Sequence, residues 1–354
     1  MDKSEKTTAI DLLKKLIATP SFSKEEDQTA QILIAILEEN GVQIHRSGNN
    51  IWAFNKTFNP DLPTVLLNSH HDTVKPAASY SLDPFLPQII EGKLYGLGSN
   101  DAGGALVSLL TTFLHFHPEE NLKYNLLFVA SAEEEISGKN GIESVLPQFE
   151  NIALGIVGEP TLMQMAIAEK GLVVLEGTAY GKSGHAAREE GENALYKALE
   201  DIQWIKNHAF EKVSAQLGPV KMTVTQIEAG SQHNVVPDRC HFVVDVRVNE
   251  CYSNRAIHKI IQENCQSEIK ARSFRLNSSS IPAEHPLVQK GIELGLTAYG
   301  SPTLSDQALM NFPTLKIGPG DSARSHTADE FIYLHEIEEG INIYTQILNN
   351  FLTY

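Results

Sequence analysis

The sequence predicts an α/β fold in which a three-layer α/β/α domain is interrupted by a smaller α+β domain. Short apolar runs typical of buried parallel strands, alternating with helices, indicate the large domain. The middle of the chain has the order β-α-β-β-α-β, which is typical of a ferredoxin-like domain. The predicted boundaries are residues 1–168 and 278–354 for the large domain and residues 169–277 for the inserted one.

The elements of the first part of the chain are predicted from apolar periodicity and turn residues. Helices are expected at 7–18, 23–41 and 105–116, and strands at 51–55, 64–69, 125–131 and 153–157. Ser23 is placed as the N-cap of the second helix because three acidic residues follow it in the first turn.

The inserted domain is predicted from four strands and two helices. The strands are expected at 172–179, 220–227, 241–248 and 268–276, and the helices at 193–208 and 253–266. After Ser280 the alternation of helices and strands resumes, so both termini are expected to build one domain.

The composition describes an acidic, globular chain. It has 354 residues, with 28 Lys and Arg against 44 Asp and Glu, and therefore a net charge of −16. This length allows two domains, because single cores usually stop growing at roughly 250–300 residues. The negative charge disfavours nucleic acid and anionic membranes as partners, because both attract clustered Lys and Arg.

The cellular compartment is predicted from the lack of membrane-spanning and secretory segments and from the small number of cysteines. No apolar run approaches the roughly 20 residues that cross a bilayer, and the N-terminus lacks an apolar secretory core. Cys240, Cys251 and Cys265 form no CxxC pair, which disfavours a disulfide framework and a thiolate zinc site. We therefore expect a cytoplasmic protein.

Polar loops follow the predicted strands and a glycine-rich turn. These loops are Ser69–Val74, Gly96–Asp101, Ser131–Glu135 and Gly158–Pro160. The carboxyl ends of parallel strands meet at one edge of a sheet, where ligands bind. A cluster of carboxylates there is costly unless it holds cations. Imidazole and carboxylate without thiol suit Zn²⁺, Co²⁺ or Mn²⁺.

Each loop has an ordinary alternative when it is taken alone. The HxD of His70 and Asp72 is a weak pattern, and His71 is expected to point away from both because strand side chains alternate. The run Glu133–Glu135 could be a solvated acidic patch. The glycine-rich loop lacks the Gly-Lys-Ser/Thr of a phosphate loop, so phosphate binding is rejected. Order and placement together favour a metal site.

Five ordered motifs carry a resemblance that covers essentially the whole chain. They are SHHDTV at 69–74, YGLGSNDAGG at 95–104, SAEEEISG at 131–138, VGEPT at 157–161 and SARSHTADE at 322–330. The chain resembles the M20 metallopeptidase/amidohydrolase family, of the acetylornithine deacetylase and succinyl-diaminopimelate desuccinylase type. The resemblance implies a zinc-peptidase-like catalytic domain and a ferredoxin-like lid through which two subunits form a homodimer.

The resemblance also implies a catalytic centre with two divalent ions, Zn²⁺ first and Co²⁺ or Mn²⁺ as alternatives. The implied metal ligands are His70 and Glu159 for one ion, Glu135 and His326 for the other, and Asp101 as the bridge. Asp72 would orient the His70 imidazole. Glu134 would be the general base, which takes a proton from the attacking water and returns it to the leaving amine.

Three residues of the inserted domain are implied to contact the substrate. His185 matches a histidine that reaches the neighbouring subunit's active site and stabilises the developing oxyanion. Arg247 matches a residue that binds a substrate carboxylate, and Asn234 matches a substrate-binding asparagine. The alternatives are a polar lid loop for His185, and a salt bridge or a turn for the other two.

One segment departs from the family pattern. Many relatives have Met-Lys after the bridging aspartate, whereas this chain has Ala102 and Gly103, which removes a side chain near the metals. In the family a cis peptide bond commonly follows this aspartate. A cis bond is therefore expected between Asp101 and Ala102.

The implied activity is hydrolysis of an N-acyl amino acid, first N-acetylornithine, which would place the chain in arginine biosynthesis. The alternatives are an N-succinyl amino acid desuccinylase, a metallo-exopeptidase for di- and tripeptides, and a catalytically silent binding homologue. Arg272, Arg275 and Arg324 are candidates for binding a succinyl carboxylate. The silent alternative is disfavoured because the general base and all five metal ligands are present.

Overall fold

The structure is a computed structural model that describes residues 3–353, and it divides the chain into two units. Unit 1 comprises Met1–Ile167, Ser280–Tyr299 and Ser305–Tyr354, and unit 2 comprises Ala168–Ser279 and Gly300–Leu304. The predicted large domain includes Met1, Asp2 and Tyr354, which lie outside the described residues. The segment Gly300–Leu304 of unit 2 is not predicted from the sequence.

Helices and strands alternate along residues 3–353. The α-helices are α1 Lys3–Ile17, α2 Asp27–Glu39, α3 Gly104–Phe116, α4 Ile142–Val145, α5 Ala194–Asn207, α6 Asn254–Asn264, α7 Pro286–Glu293 and α8 Leu334–Leu352. The first eight strands are β1 His45–Ser47, β2 Asn50–Phe54, β3 Thr64–His70, β4 Gln88–Ile90, β5 Lys93–Tyr95, β6 Asn125–Ser131, β7 Ile152–Val157 and β8 Met165–Glu169. The others are β9 Gly171–Tyr180, β10 Lys221–Ala229, β11 Arg239–Val248, β12 Glu268–Ala271, β13 Ser279–Ser280, β14 Ala298–Ser301, β15 Thr314–Lys316 and β16 Phe331–Tyr333.

A mixed sheet forms the middle layer of unit 1. Its strands run in the order β1-β2-β6-β3-β7-β15-β8. The four central strands, β6, β3, β7 and β15, are parallel, whereas β2 and β8 pair antiparallel with their inner neighbours. The predicted α/β class is therefore confirmed, with antiparallel strands added on both sides of a parallel centre.

Alternate residues of the central strands pack into different apolar layers. Val65 and Leu67 of β3 belong to the core that also contains residues of α1, α2, α3 and α8. Leu66, between them, packs on the other face in a cluster with Ile142 and Val145 of α4. Because strand side chains alternate between faces, the continuous apolar run of β3 needs a covering layer on both sides. Unit 1 is thus a three-layer α/β/α structure.

Unit 2 has a four-stranded antiparallel sheet in the order β10-β11-β9-β12, with α5 and α6 in the chain order β-α-β-β-α-β. This is the ferredoxin-like arrangement expected from the sequence. β12 ends at Ala271, five residues before its predicted end at 276. The side chains of Ser273 and Asn277 bond nearby backbone atoms there, and such bonds compete with strand pairing.

The predicted N-cap of the second helix is wrong. α2 begins at Asp27, and the Ser23 hydroxyl donates instead to the Asp72 carboxylate at 2.7 Å. The chain between them turns through a left-handed Lys24, whose N–H donates to the Glu26 carboxylate. A distant partner therefore takes the hydroxyl that local sequence assigned to the helix.

Among residues 3–353, every helix is too short or too polar to span a membrane.

Candidate metal centre

Four of the predicted site residues lie at the carboxyl ends of adjacent parallel strands. His70 is the last residue of β3, Glu134 and Glu135 follow β6, and Glu159 follows β7. Because β6, β3 and β7 are neighbours in the sheet, their three loops meet at one edge. The apolar strands thus position a buried imidazole and three carboxylates at the same edge of the sheet.

Two further residues reach this edge from loops. Asp101 lies in the irregular turn Ser99–Gly103 that precedes α3, and the Asp101–Ala102 peptide bond is cis, as expected. His326 follows the short turn Ser322–Arg324 and has a left-handed φ of 59°. Its side chain is 55% exposed, which makes it the most open of the predicted metal ligands.

The donor atoms form two clusters that share Asp101. In the first cluster, His70 Nε2 lies 3.3 Å from Asp101 Oδ1 and 3.9 Å from Glu159 Oε1. In the second, His326 Nε2 lies 3.7 Å from Asp101 Oδ2 and 3.0 Å from Glu135 Oε2. Donor atoms within each cluster are all within 4.8 Å of one another.

These separations fit divalent ions. Ligand atoms about 2.0–2.2 Å from a tetrahedral ion lie roughly 3.3–3.6 Å apart, close to the distances in both clusters. Asp101 turns one carboxylate oxygen toward each histidine, as a bridging ligand would. The imidazole and carboxylate donors also suit Zn²⁺ and its neighbours. The residues present therefore fit a pair of divalent ions.

The carboxylates of the site repel one another. Burial, followed by repulsion from Glu159, raises the pKa of Glu134 well above its usual value. Burial and the nearby Asp101 carboxylate have the same effect on the pKa of Glu159, and they also raise the pKa of Glu135. Metal cations would remove this repulsion, so the electrostatics favour metal binding.

His70 is the positive partner of the cluster. Burial by itself would lower its pKa, but hydrogen bonds to Asp101 and Asp72 and the nearby glutamates hold that pKa well above the usual value. The same hydrogen bonds outweigh burial at both aspartates and lower their pKa values. Without metal, a charged imidazole therefore balances part of the carboxylate charge.

Asp72 connects the two ligand-bearing loops. Its Oδ1 lies 3.3 Å from Nδ1 of His70, which leaves Nε2 facing the first cluster. Its two carboxylate oxygens accept the backbone N–H groups of Glu134 and Glu135 at 3.1 and 3.2 Å. The predicted orienting residue thus also fixes the backbone of the acidic turn.

The carboxylates of three consecutive glutamates lie in three different surroundings. The Glu133 carboxylate accepts from the Asn140 side chain at 3.0 Å, away from the clusters. Glu135 joins the second cluster, whereas Glu134 belongs to neither and lies 4.0 Å from His70 Nε2. Glu134 is therefore close to the metal-binding atoms without being one of them.

Tight packing accounts for the small residues after Asp101. A Cβ added at Gly103 would lie 2.4 Å from the Gly98 carbonyl oxygen and 2.6 Å from Leu13. Ala102 is buried as well. A side chain at position 103 would therefore collide with the turn itself.

His71 stays outside the site, as strand alternation predicts. Its two ring nitrogens bond the Thr29 hydroxyl and the Asn49 carbonyl oxygen, both at 2.9 Å. Burial lowers its pKa. It is a structural residue that ties α2 to the metal-bearing strand.

The sequence assigns no role to three buried carboxylates that hold the site together. Glu26 accepts the Glu133 N–H, and Asp306 accepts from the side chains of Asn68 on β3 and Ser131 on β6. Burial raises the pKa of Asp306 to about 6. The third is Glu330, the last residue of the SARSHTADE motif.

The substrate-binding residues predicted in the inserted domain all lie in unit 2. His185 and Asn234 occupy adjoining loops, where the N–H of Ala186 donates to the Asn234 carbonyl oxygen and His185 Nδ1 accepts from Ala187. Arg247 on β11 forms an ion pair with Asp245. Their contact with a substrate stays a prediction.

Two of the arginines considered for a succinyl carboxylate are held by carboxylates of the chain. Arg324 binds Glu336 through both terminal guanidinium nitrogens, at 2.7 and 2.9 Å, and lies over the Phe331 and Tyr333 rings. Arg272 pairs with Glu176. Arg324 thus anchors the His326 loop through Glu336, and its contact with a substrate stays a prediction.

Comparisons with known proteins agree with this site. The model of peptidase family M20/M25/M40 matches residues 66–350. A succinyl-diaminopimelate desuccinylase of Wolbachia pipientis is 24% identical over 98% of this chain and 94% of its own. A peptidase M20 domain-containing protein of Schizosaccharomyces pombe is 27% identical over 96% of this chain and 84% of its own. The YXEP protein of Bacillus subtilis, a dinuclear metal binding peptidase, has a similar structure, with a TM-score of 0.75, 17% identity and 99% coverage of both chains.

Metal binding should stabilise the protein in a pH-dependent way. Protons compete with metal for the ligands, and the raised pKa values of His70, Glu135 and Glu159 make this competition begin at a higher pH than it would for ordinary histidine and glutamate side chains. The gain in melting temperature on adding Zn²⁺ should therefore be smaller at mildly acidic pH than at neutral pH. At free Zn²⁺ about 100 times Kd, the stabilisation at neutral pH should be about 3 kcal/mol.

Differential scanning calorimetry with and without chelator measures this gain. His326→Ala should reduce it, whereas replacing the exposed His335 with Ala should leave it unchanged. An equal gain at both pH values, or in the His326 variant, would contradict the assignment of the ligands.

Proposed function

Because the chain belongs to peptidase family M20/M25/M40, we propose that it is a hydrolase with two divalent ions, Zn²⁺ first, which cleaves the amide bond of an N-acyl amino acid. The observation that carries this proposal is the pair of donor clusters sharing Asp101, with the Glu134 carboxylate 4.0 Å from His70 Nε2 and part of neither cluster. The same observation argues against a silent binding homologue, because the five metal ligands are brought together with the general base beside them. The cytoplasm is the proposed compartment.

The side chains have separate tasks in the proposed reaction. The ions supply Lewis acidity, which polarises the amide carbonyl and makes a water molecule more acidic. Glu134, whose pKa is raised by burial and by Glu159, is suited to accept a proton and then to donate it. Asp72 holds the His70 ring and the Glu134 backbone in place, so that base and ligands keep a fixed geometry.

For the acyl group we propose succinyl first and acetyl second. Succinyl is favoured because a relative that is named a succinyl-diaminopimelate desuccinylase aligns over 98% of this chain. N-acetylornithine is favoured by the resemblance carried by GSNDAGG at 98–104 and GPGDSARSHTADE at 318–330. A succinyl group adds a carboxylate, which needs a cation or an N–H donor in the substrate site. Arg324 would supply that contact only by sharing its guanidinium group with Glu336.

A substrate panel tests the reaction and the acyl group together. The metal-loaded protein should release amine from an N-succinyl amino acid, and the chelated protein should not. The panel contains N-succinyl-diaminopimelate, N-succinylornithine, N-acetylornithine, N-acetylcitrulline and several dipeptides. Faster turnover of N-acetylornithine would reverse the order of the two acyl groups. Turnover of dipeptides alone would replace the proposal with an exopeptidase.

Glu134→Gln should lower turnover about 10²- to 10⁴-fold, because an amide cannot carry the proton. Zn²⁺ should still stabilise this variant, since Glu134 lies outside both donor clusters. The matched control is Glu133→Gln, in which the neighbouring carboxylate faces Asn140, and it should keep turnover within a few-fold. Comparable turnover in both variants would remove Glu134 from its role.

We also propose a homodimer, formed through unit 2, in which His185 serves the partner's metal centre. Heterodimers of a His185→Ala chain with a Glu134→Gln chain should recover about half of the wild-type turnover, because one of two sites then has both groups. Each homodimeric variant should stay slow, with metal binding intact in His185→Ala. Heterodimers as slow as the two parents would place His185 in its own subunit's site or outside catalysis.

A further inference from the structure

The loop that carries Asp101 and the segment that carries His326 are joined directly. The Asn100 side chain pairs with the backbone of Asp321: its Nδ2 donates to the carbonyl oxygen and its Oδ1 accepts the N–H, both at 3.0 Å. The Ser325 hydroxyl bonds the Asp101 carboxylate itself. The loop of the bridging ligand is therefore held by two residues that precede His326 in sequence, Asp321 and Ser325.

Glu330 makes the third and most buried contact between these segments. Its side chain is 2% exposed, and its carboxylate accepts three backbone N–H groups of the Asp101 loop. Those of Asn100 and Asp101 donate to Oε1 at 2.8 and 2.9 Å, and that of Gly98 donates to Oε2 at 3.0 Å. Gly98 has a φ of 73°, and this left-handed turn lets the three N–H groups converge on one anion.

His326 depends on this connection more than the other metal ligands do. Its ring is 55% exposed, and its backbone adopts a left-handed conformation that most residues avoid. His70, by contrast, is 1% exposed, follows directly from a buried strand and is bonded by Asp72. The distance between Asp101 and His326 is therefore set mainly by how their two segments pack.

We propose that Glu330 is a positioning residue that fixes the bridging Asp101 relative to His326, and that the second cluster depends on it more than the first. The proposal rests on the two-ion centre proposed above. Removing the Glu330 carboxylate frees the Asp101 loop on the side that faces His326. The first cluster keeps its anchors, His70 and Glu159, on the ends of central strands.

Glu330→Gln tests this dependence with almost no change in volume. The amide oxygen can still accept two N–H groups, but the amide nitrogen then faces the N–H of Gly98 as a second donor. Zn²⁺ titration against a chromophoric chelator, with metal analysis of the dialysed protein, should show one ion bound as in the wild type. The second should bind about 10- to 100-fold more weakly, and excess Zn²⁺ should restore turnover.

Asp329→Asn is the matched control. The Asp329 carboxylate also accepts hydrogen bonds from two backbone N–H groups, those of Ser81 and Leu82. The loop of Ser81 and Leu82 contains none of the predicted metal ligands. This variant should bind both ions as the wild type does. If Glu330→Gln does not fold, Glu330→Asp is titrated in its place. This variant keeps the carboxylate but shortens the side chain by one methylene, which moves the acceptor oxygens away from the three N–H groups.

The results separate this inference from the proposed function. If the wild type binds two ions and the Glu330 variant binds both as tightly as the wild type does, the inference is overturned and the two-ion centre is not affected. Equal weakening of both ions also overturns it, because Glu330 would then support the fold in general. A wild-type chain that binds fewer than two ions overturns the two-ion centre, and the inference with it.

Discussion

Repulsion among carboxylates at the carboxyl edge of the central sheet is the constraint on which the rest of unit 1 depends. Asp101, Glu134 and Glu159 lie around the buried His70 ring, each with a side chain only 13% exposed. Such a group is unfavourable without cations, because buried carboxylates lose hydration and gain repulsion. The parallel strands that end there contain no Asp, Glu, Lys or Arg and are buried on both faces. The fold thus places these carboxylates at one edge, where bound metal ions would offset their repulsion.

Backbone amides, rather than lysines and arginines, hold the supporting carboxylates of this site. Asp72 accepts two N–H groups of the acidic turn, Glu26 accepts a third, and Glu330 accepts three from the Asp101 loop. Amide dipoles stabilise an anion without adding a full positive charge near the metal ligands. An ammonium group in these places would compete with the metal ions for the same carboxylates. The supporting residues therefore shape the loops while leaving the ligands available to cations.

Most of the fold could be predicted because its signals are local. β6 has the predicted bounds, since a continuous apolar run between polar residues already describes a strand buried on both faces. His70, Asp101, Glu135 and Glu159 were indicated because they follow such strands or a glycine-rich turn, whereas the full ligand set, with His326, is what the resemblance of the motifs implies. The Ser23 cap failed because its hydroxyl bonds Asp72, 49 residues away, instead of a nearby backbone N–H.

Most contacts of the supporting residues could not be predicted, because their partners are remote in sequence. Glu330 and Asn100 are 230 positions apart, and Asp306 and Asn68 are 238 apart. No spacing rule connects such pairs; only the packed loops bring them together. Arg324 shows the same difficulty, since its ion pair with Glu336, 12 positions away, is seen only in the folded chain. Local patterns find the groups that do chemistry, and tertiary contacts decide which residues hold them.

The consecutive Glu133, Glu134 and Glu135 show how backbone conformation turns one repeated residue into different functions. Glu133 has a left-handed φ of 55°, which directs its carboxylate back to Asn140, and the short helical turn Glu134–Ile136 follows. Side chains of adjacent residues in such a turn diverge, so Glu135 reaches the second cluster while Glu134 does not. A general base must touch the reacting water without being neutralised by a metal ion. Adjacent residues on a tight turn satisfy both demands, provided that the turn is fixed, and the Asp72 carboxylate fixes it through the two N–H groups that follow Glu133.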